Sequence, residues 1–257
     1  KVKYWLTFNE INSGTMPMGA VLNTGTIRGF SGPLTEVPDN KQERFQALHH
    51  MFVASARVVR YAHEHYPQFK LGCMTLMATT YPLTPNPADM LKAQSSMNMS
   101  NWYTSDVQVR GEYPHFAQRF YRENGIELKI EDGDAEDLKA GTVDFFTFSY
   151  YMSVCVTEEE NGNTIGGNLL GGVANPYLKA SDWGWQIDPK GLRWTLNEIY
   201  GRYHIPLMVV ENGFGAFDKV EEDGSIHDDY RISYFREHIR AMRESVKDGV
   251  PLIGYTT

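Results

Sequence analysis

Two short segments place an amide beside a carboxylate: Asn9-Glu10 within TFNEIN (Thr7 to Asn12) and Glu211-Asn212 within VENGFG (Val210 to Gly215). Each follows a run of apolar, aromatic and β-branched residues that reads as a strand, and glycine comes soon after. Carboxylates that face one another across a cleft suit glycoside hydrolysis, in which one protonates the leaving oxygen and the other attacks the anomeric carbon or activates water. A strand-end Glu taken alone is more often a solvated or paired acid. Two such pairs, at the ends of two strands of the same kind, favour a joint role.

The elements that must hold them follow from periodicity. Tyr4 to Phe8 reads as a first, buried strand. In the segment from Pro38 to Pro67, Asn40 and Glu43 form a capping box, and Phe45, Leu48, Phe52, Ala56 and Val59 recur at helical spacing. Phe69 to Met77 is a second strand, and the proline-rich YPLTPNP after it marks a turn before a second helical region that stops at Gly125. Val143 to Tyr151 is a third strand, apolar on both faces and therefore interior. A long glycine-rich stretch from Met152 to Asp188 reads as a functional or mobile loop. Asp188 and Pro189 then open a helix with Leu192, Leu196, Ile199 and Tyr203 inward. Ile205 to Gly213 is a fourth strand. The next helix, DDYRISYFREHIRAMRESVKDG, is expected to turn Ile232, Phe235, Ile239, Met242 and Val246 inward and to stop at Gly249, and PLIGYTT closes as a fifth strand. Strands alternating with amphipathic helices mean an α/β fold, either an open wound sheet or a barrel. In a parallel barrel the strand C-termini share one mouth, and both carboxylates would face it.

Composition narrows the function classes. The 257 residues suffice for one large domain, and the formal net charge of −8 disfavours a general nucleic-acid role, which draws on a basic surface. Cys73 and Cys155 make no disulfide framework, which fits a reducing compartment. No apolar run approaches the roughly 18 residues of a membrane span and no export signal is visible, so a cytoplasmic location is expected. The first residue is Lys, so a preceding segment remains open.

TFNEIN, SYY (Ser149 to Tyr151), SDWGW (Ser181 to Trp185) and VENGFG, in that order, resemble glycoside hydrolase family 1, the retaining β-glucosidases and their relatives. FSYYMS (Phe148 to Ser153), WGWQIDPKGLR and ENGFGAFDKVEEDGSIHDDYR look most like the bacterial 6-phospho-β-glucosidase branch. The resemblance implies a (β/α)8 TIM barrel as a single partial catalytic domain over residues 1–257, covering roughly strands four to eight. It implies Glu10 as acid/base, Glu211 as nucleophile, Asn9 as a contact to the sugar 2-hydroxyl and Tyr151 as the donor to the nucleophile. Ser149 stands where many members carry Asn, a change compatible with the phospho branch. The implied reaction is retaining hydrolysis of 6-phospho-β-glucosides, with unphosphorylated glucosides as the alternative. Residues that grip the 6-phosphate are expected after Thr257. An isolated five-stranded piece would leave edges along Lys3 to Phe8 and Leu252 to Tyr255. Further barrel segments, in the same polypeptide or as a separate piece, are therefore expected to pair there. An inactive fragment and a homo-oligomer both remain open at this point.

Other clusters carry blander readings. His63-Glu64-His65 lies in a helix without the i, i+4 spacing of a metal pair, and no metal or cofactor is expected. His49 and His50 read as helix-surface or core-edge residues. The glycines at 166, 167, 171 and 172 form no dinucleotide loop. Glu158 to Glu160 reads as a solvated acidic run. Trp183 and Trp185 could equally stack on a sugar or serve as packing residues.

Overall fold

A computed structural model describes residues 2–159 and 171–257. The chain divides into two compact units, Lys1–Leu76 with Asn98–Ser149, and Met77–Met97 with Tyr150–Thr257.

In the first unit, β1 (Tyr4–Leu6) pairs in parallel with β2 (Lys70–Leu76), and β2 pairs in parallel with β4 (Phe145–Tyr150). The register sets Gly72 opposite Phe145 and Leu76 opposite Ser149. Gly72 is required there, because a Cβ would lie 2.7 Å from the Phe145 ring. Every residue of β4 is buried, as its continuous apolar run implies. β1 departs from expectation. It is three residues long rather than five, and Tyr4, Trp5 and Leu6 are 48%, 44% and 41% exposed, since its backbone pairs with β2 while its side chains meet few apolar neighbours.

Between β1 and β2 come a 3-10 turn (Ile11–Thr15), a short helix α1 (Gly19–Leu22) and the long helix α2 (Lys41–His65). Asn40 Oδ1 accepts from the Glu43 amide at 3.2 Å and so caps an otherwise unpaired donor at the start of α2. The expected stripe of Phe45, Leu48, Phe52, Ala56 and Val59 is buried throughout. Its first four members join Ile11 of the 3-10 turn and Tyr103, Val107, Ala117, Tyr121 and Leu138 of α4 (Tyr103–Arg110), α5 (Ala117–Asn124) and α6 (Asp134–Ala140) in one core cluster. Each fully buried large side chain contributes about 1.5–3 kcal/mol. His49 is fully buried rather than at an edge. Its two ring nitrogens are satisfied by Tyr113 Oη at 2.8 Å and Asp134 Oδ2 at 3.0 Å, which makes burial of a polar ring tolerable.

In the second unit, a short strand precedes the expected turn, taking in its first two residues Tyr81 and Pro82, and the first part of the expected loop is also a strand. β3 (Thr79–Pro82) and β5 (Ser153–Val156) pair in parallel as a separate two-stranded sheet. A bend over residues 83–85 then leads to α3 (Pro87–Met97), so the expected turn is present, with Pro82 ending the strand before it and Pro87 beginning the helix after it. The glycines at 166 and 167 and Glu160 lie outside the described residues. Helix α7 (Pro189–Tyr203) starts as expected, with Asp188 Oδ1 accepting from the Gly191 amide at 2.8 Å, and it buries Leu192, Leu196, Ile199 and Tyr203. β6 (Leu207–Asn212) pairs in parallel with β7 (Leu252–Tyr255).

Helix α8 (Asp229–Lys247) is rotated relative to expectation. Its buried residues are Tyr234, His238, Met242 and Ser245, whereas Ile232, Ile239 and Val246 are about half exposed. Both sets have helical spacing. The buried set places the Tyr234 hydroxyl where it finds partners, as described below, and stacks the Tyr234 and His238 rings on each other.

Candidate active site

Glu10 lies in the first unit, four residues beyond β1, where the chain leaves the strand and enters the 3-10 turn. Its backbone is left-handed, with φ 41° and ψ 50°, an arrangement that costs a non-glycine residue about 1–3 kcal/mol. The residues that follow hold it there. Ile11 is fully buried in the core cluster, and Asn12, also fully buried, is tied down at both ends of its carboxamide. Asn12 Nδ2 donates to Leu76 O at 2.7 Å and Ser100 O at 2.6 Å, and Asn12 Oδ1 accepts from the Leu76 amide at 2.8 Å. Leu76 ends β2, and its register partner in β4 is Ser149. The Ser149 hydroxyl, fully buried, donates to Glu10 Oε1 at 2.6 Å. One strand end thus fixes both the backbone that carries Glu10 and the hydroxyl that meets its carboxyl group. Asn9 is exposed next to it, with its carbonyl accepting from Asn23 Nδ2 at 3.4 Å.

Glu211 lies in the second unit, next to the last residue of β6. Tyr151, in the two-residue break between β4 and β5, donates from its hydroxyl to Glu211 Oε2 at 2.6 Å. The Tyr151 ring meets Trp185 at 5.6 Å between centroids, and Trp185 meets Trp183 edge-on at 5.7 Å. Trp183 packs over Gly215, where a Cβ would fall 2.0 Å from the indole, so VENGFG needs its second glycine for close approach. Trp183 remains 46% exposed, which leaves it free surface as well as a packing role.

Asn212 is anchored within the second unit. Its Nδ2 donates to Tyr150 O at 2.7 Å and Tyr234 Oη at 2.9 Å, and its Oδ1 accepts from Tyr255 Oη at 2.9 Å. The Tyr234 hydroxyl in turn donates to Tyr151 O at 3.2 Å. The carboxamide beside Glu211 therefore binds structure on both of its ends. Burial holds the Tyr234 phenol well above its ordinary pKa, so it stays a neutral hydrogen-bonding group at physiological pH. Tyr234 also stacks on Phe214 at 4.7 Å and on His238 at 3.8 Å, and its carbonyl accepts from His238 Nδ1 at 2.8 Å.

The expected residues are thus found as two pairs, Glu10 with Ser149 and Glu211 with Tyr151. Each pair is a half-buried carboxyl group in contact with a hydroxyl donor, Glu211 within β6 and Glu10 in the turn beyond β1, which suits proton transfer or nucleophilic attack. Asn12, Tyr234 and Tyr255 were not singled out from the sequence. The available signal was a tyrosine on a helical stripe and an asparagine two places after the first carboxylate, and neither says which partner it will find. The other candidates take ordinary roles. His63 Nε2 pairs with Asp144 Oδ2 at 3.1 Å, and His65 Nδ1 donates to Tyr61 O at 3.0 Å. Among the described residues no group of three His, Cys, Asp or Glu could hold a metal ion, and no helix is long and apolar enough to cross a membrane. Cys73 and Cys155 are free and buried, and burial pushes the Cys73 thiol up to about 12.

Comparison with known proteins extends these observations. A family model described as Glycosyl hydrolase family 1 matches residues 1–257. The chain is 52% identical over 259 residues to the aryl-phospho-β-D-glucosidase BglH of Bacillus subtilis (strain 168), covering 100% of this chain and 53% of that protein. It is 49% identical over 262 residues to a 6-phospho-β-glucosidase of Clostridium longisporum, again covering 100% of this chain and 53% of that one. Among solved structures, a family 1 β-glucosidase from Thermotoga maritima superposes with a TM-score of 0.78 at 24% identity, over 99% of this chain and 53% of that chain. The chain spans about half the length of the curated relatives it matches. The structural likeness settles the choice that strand order left open: the fold is a partial (β/α)8 barrel.

Proposed function

The chain belongs to glycosyl hydrolase family 1, and on that premise we propose that the protein hydrolyses 6-phospho-β-glucosides with retention, releasing glucose 6-phosphate and the aglycone. The observation that carries the substrate class is identity of 52% and 49%, over the whole of this chain, to proteins named for phospho-β-glucosides. The similar β-glucosidase structure, at 24% identity, supports the fold and no finer preference.

In this reading residues 1–257 belong to one catalytic domain. Glu211 attacks the anomeric carbon while Glu10 delivers a proton to the glycosidic oxygen, which departs with the bonding electron pair. The covalent ester at Glu211 is then opened by water, and Glu10, now a carboxylate, takes the water's proton. Retention requires the two carboxyl groups to work about 5–5.5 Å apart. The Tyr151 hydroxyl supports Glu211 as a carboxylate before attack and again as it leaves. Asn9, with its exposed side chain, is assigned to the sugar 2-hydroxyl. Phosphorylated glucosides arise inside the cell during phosphorylating uptake, so the location proposed is the cytoplasm and the partner is the small phosphorylated substrate.

The test is hydrolysis of p-nitrophenyl β-glucoside and its 6-phosphate by the full-length protein, with the first-formed anomer read by NMR. Preference for the phosphate with the β-anomer formed first is expected. Preference for the free glucoside would overturn the substrate class, and a first-formed α-anomer would overturn the mechanism.

A further inference from the structure

We propose that Ser149 is the positioning residue that holds the Glu10 carboxyl group and sets how tightly it keeps the catalytic proton. The inference rests on Glu10 being the acid/base group. A hydroxyl that donates to Oε1 at 2.6 Å occupies that oxygen as an acceptor.

The geometry is built for this purpose. Ser149 sits in the all-buried strand β4 and is itself fully buried, so its hydroxyl has little access to water as a competing partner. Its position is tied to Leu76 through the strand register, and Leu76 is the residue that Asn12 grips through both backbone groups. The left-handed turn at Glu10 begins the chain segment that Asn12 closes. Donor and acceptor are thus referenced to the same strand end, and the short contact costs little ordering when Glu10 changes charge.

The hydroxyl supports the carboxylate form of Glu10 more than the neutral acid, because a hydrogen bond to an ionised acceptor is the stronger kind. Removing it should make Glu10 hold its proton to higher pH. In kcat/KM this appears as an upward displacement of the alkaline limb, where activity falls as the acid loses its proton. The expected displacement for Ser149→Ala is about one pH unit.

Ser149→Ala removes one oxygen and leaves the backbone pairing of β4 in place. The experiment measures kcat/KM against pH for the full-length parent, Ser149→Ala and Glu10→Gln, using aryl 6-phospho-β-glucosides with good and poor leaving groups. The proposal expects the alkaline limb to move up in Ser149→Ala, with loss of rate concentrated in the poor leaving groups, which need the proton most. An unmoved limb with equal loss across all leaving groups would show that Ser149 is structural and would overturn the proposal. If Glu10→Gln keeps the parent's alkaline limb and treats all leaving groups alike, the acid assignment beneath the proposal fails, and that pattern is distinct from a failure of Ser149 alone.

Discussion

Replacing Tyr151 by Phe removes one oxygen, the one that donates to Glu211 Oε2 at 2.6 Å. The bond is of the charge-assisted kind, and such bonds are worth about 1.5–3 kcal/mol. That value is available only while Glu211 is a carboxylate. In the proposed mechanism Glu211 is an ester in the covalent intermediate and the bond is weak there, and during hydrolysis of the ester the carboxylate is reborn. If about half of its charge has returned in that transition state, about 0.8–1.5 kcal/mol is lost there, or roughly 4- to 13-fold in rate. The first step responds differently, because the free carboxylate loses support in the ground state as well, and the two losses partly cancel. Tyr151→Phe should therefore slow the second step more than the first. With a dinitrophenyl glycoside, which forms the intermediate quickly, kcat should fall about 4- to 13-fold and a pre-steady-state burst should grow. The Tyr151 ring keeps its contact with Trp185 in the variant, so binding should change little. An unchanged kcat with a raised KM alone would refute the reasoning and make Tyr151 a binding residue.

Glu211→Gln should abolish turnover of every glycoside, whereas Glu10→Gln should spare the first step for good leaving groups, and equal loss for all leaving groups in Glu10→Gln would remove its acid role. Gly215→Ala would place a Cβ 2.0 Å from the Trp183 indole; about 1–3 kcal/mol of stability should be lost, read from the urea midpoint, and an unshifted midpoint would contradict the packing described. Burial lowers the pKa of His238, so the ring stays neutral in the folded state at pH values where the unfolded chain, with an ordinary pKa of about 6.5, already binds a proton. Its contribution to stability is present above about pH 6.5 and is lost as pH falls below that. The urea midpoint should drop between pH 8 and 5 in the parent and change less in His238→Phe, and parallel curves would show that another group governs the loss.

Much of this protein follows from local rules. Asn40 and Asp188 start their helices because a short polar side chain satisfies amides the helix leaves open. The stripes of α2 and α7 are buried as written. The strand end at Glu211 was visible from an apolar run that stops on a carboxylate, whereas the first strand ends at Leu6, four residues before Glu10. The motifs around them are specific enough to bring the family into view.

Other features depended on long-range partners. Helix α8 offers two faces of similar spacing, and the choice between them was made by Asn212, which needs a buried Tyr234 hydroxyl to complete its carboxamide. The pairing of β3 with β5 required two segments about seventy residues apart to meet, and no local pattern in a proline-rich and a glycine-rich stretch announces a parallel partner. Ser149 lies 139 positions from Glu10, and only the register of β4 on β2, with Asn12 fastening the turn to Leu76, turns that serine into the donor for that carboxyl group. Residue types along the chain determined which groups could do chemistry, because side-chain chemistry is local. Which atom each group meets was decided by tertiary structure, because a hydrogen bond depends on distances of a few tenths of an ångström that only the assembled strands and helices can set.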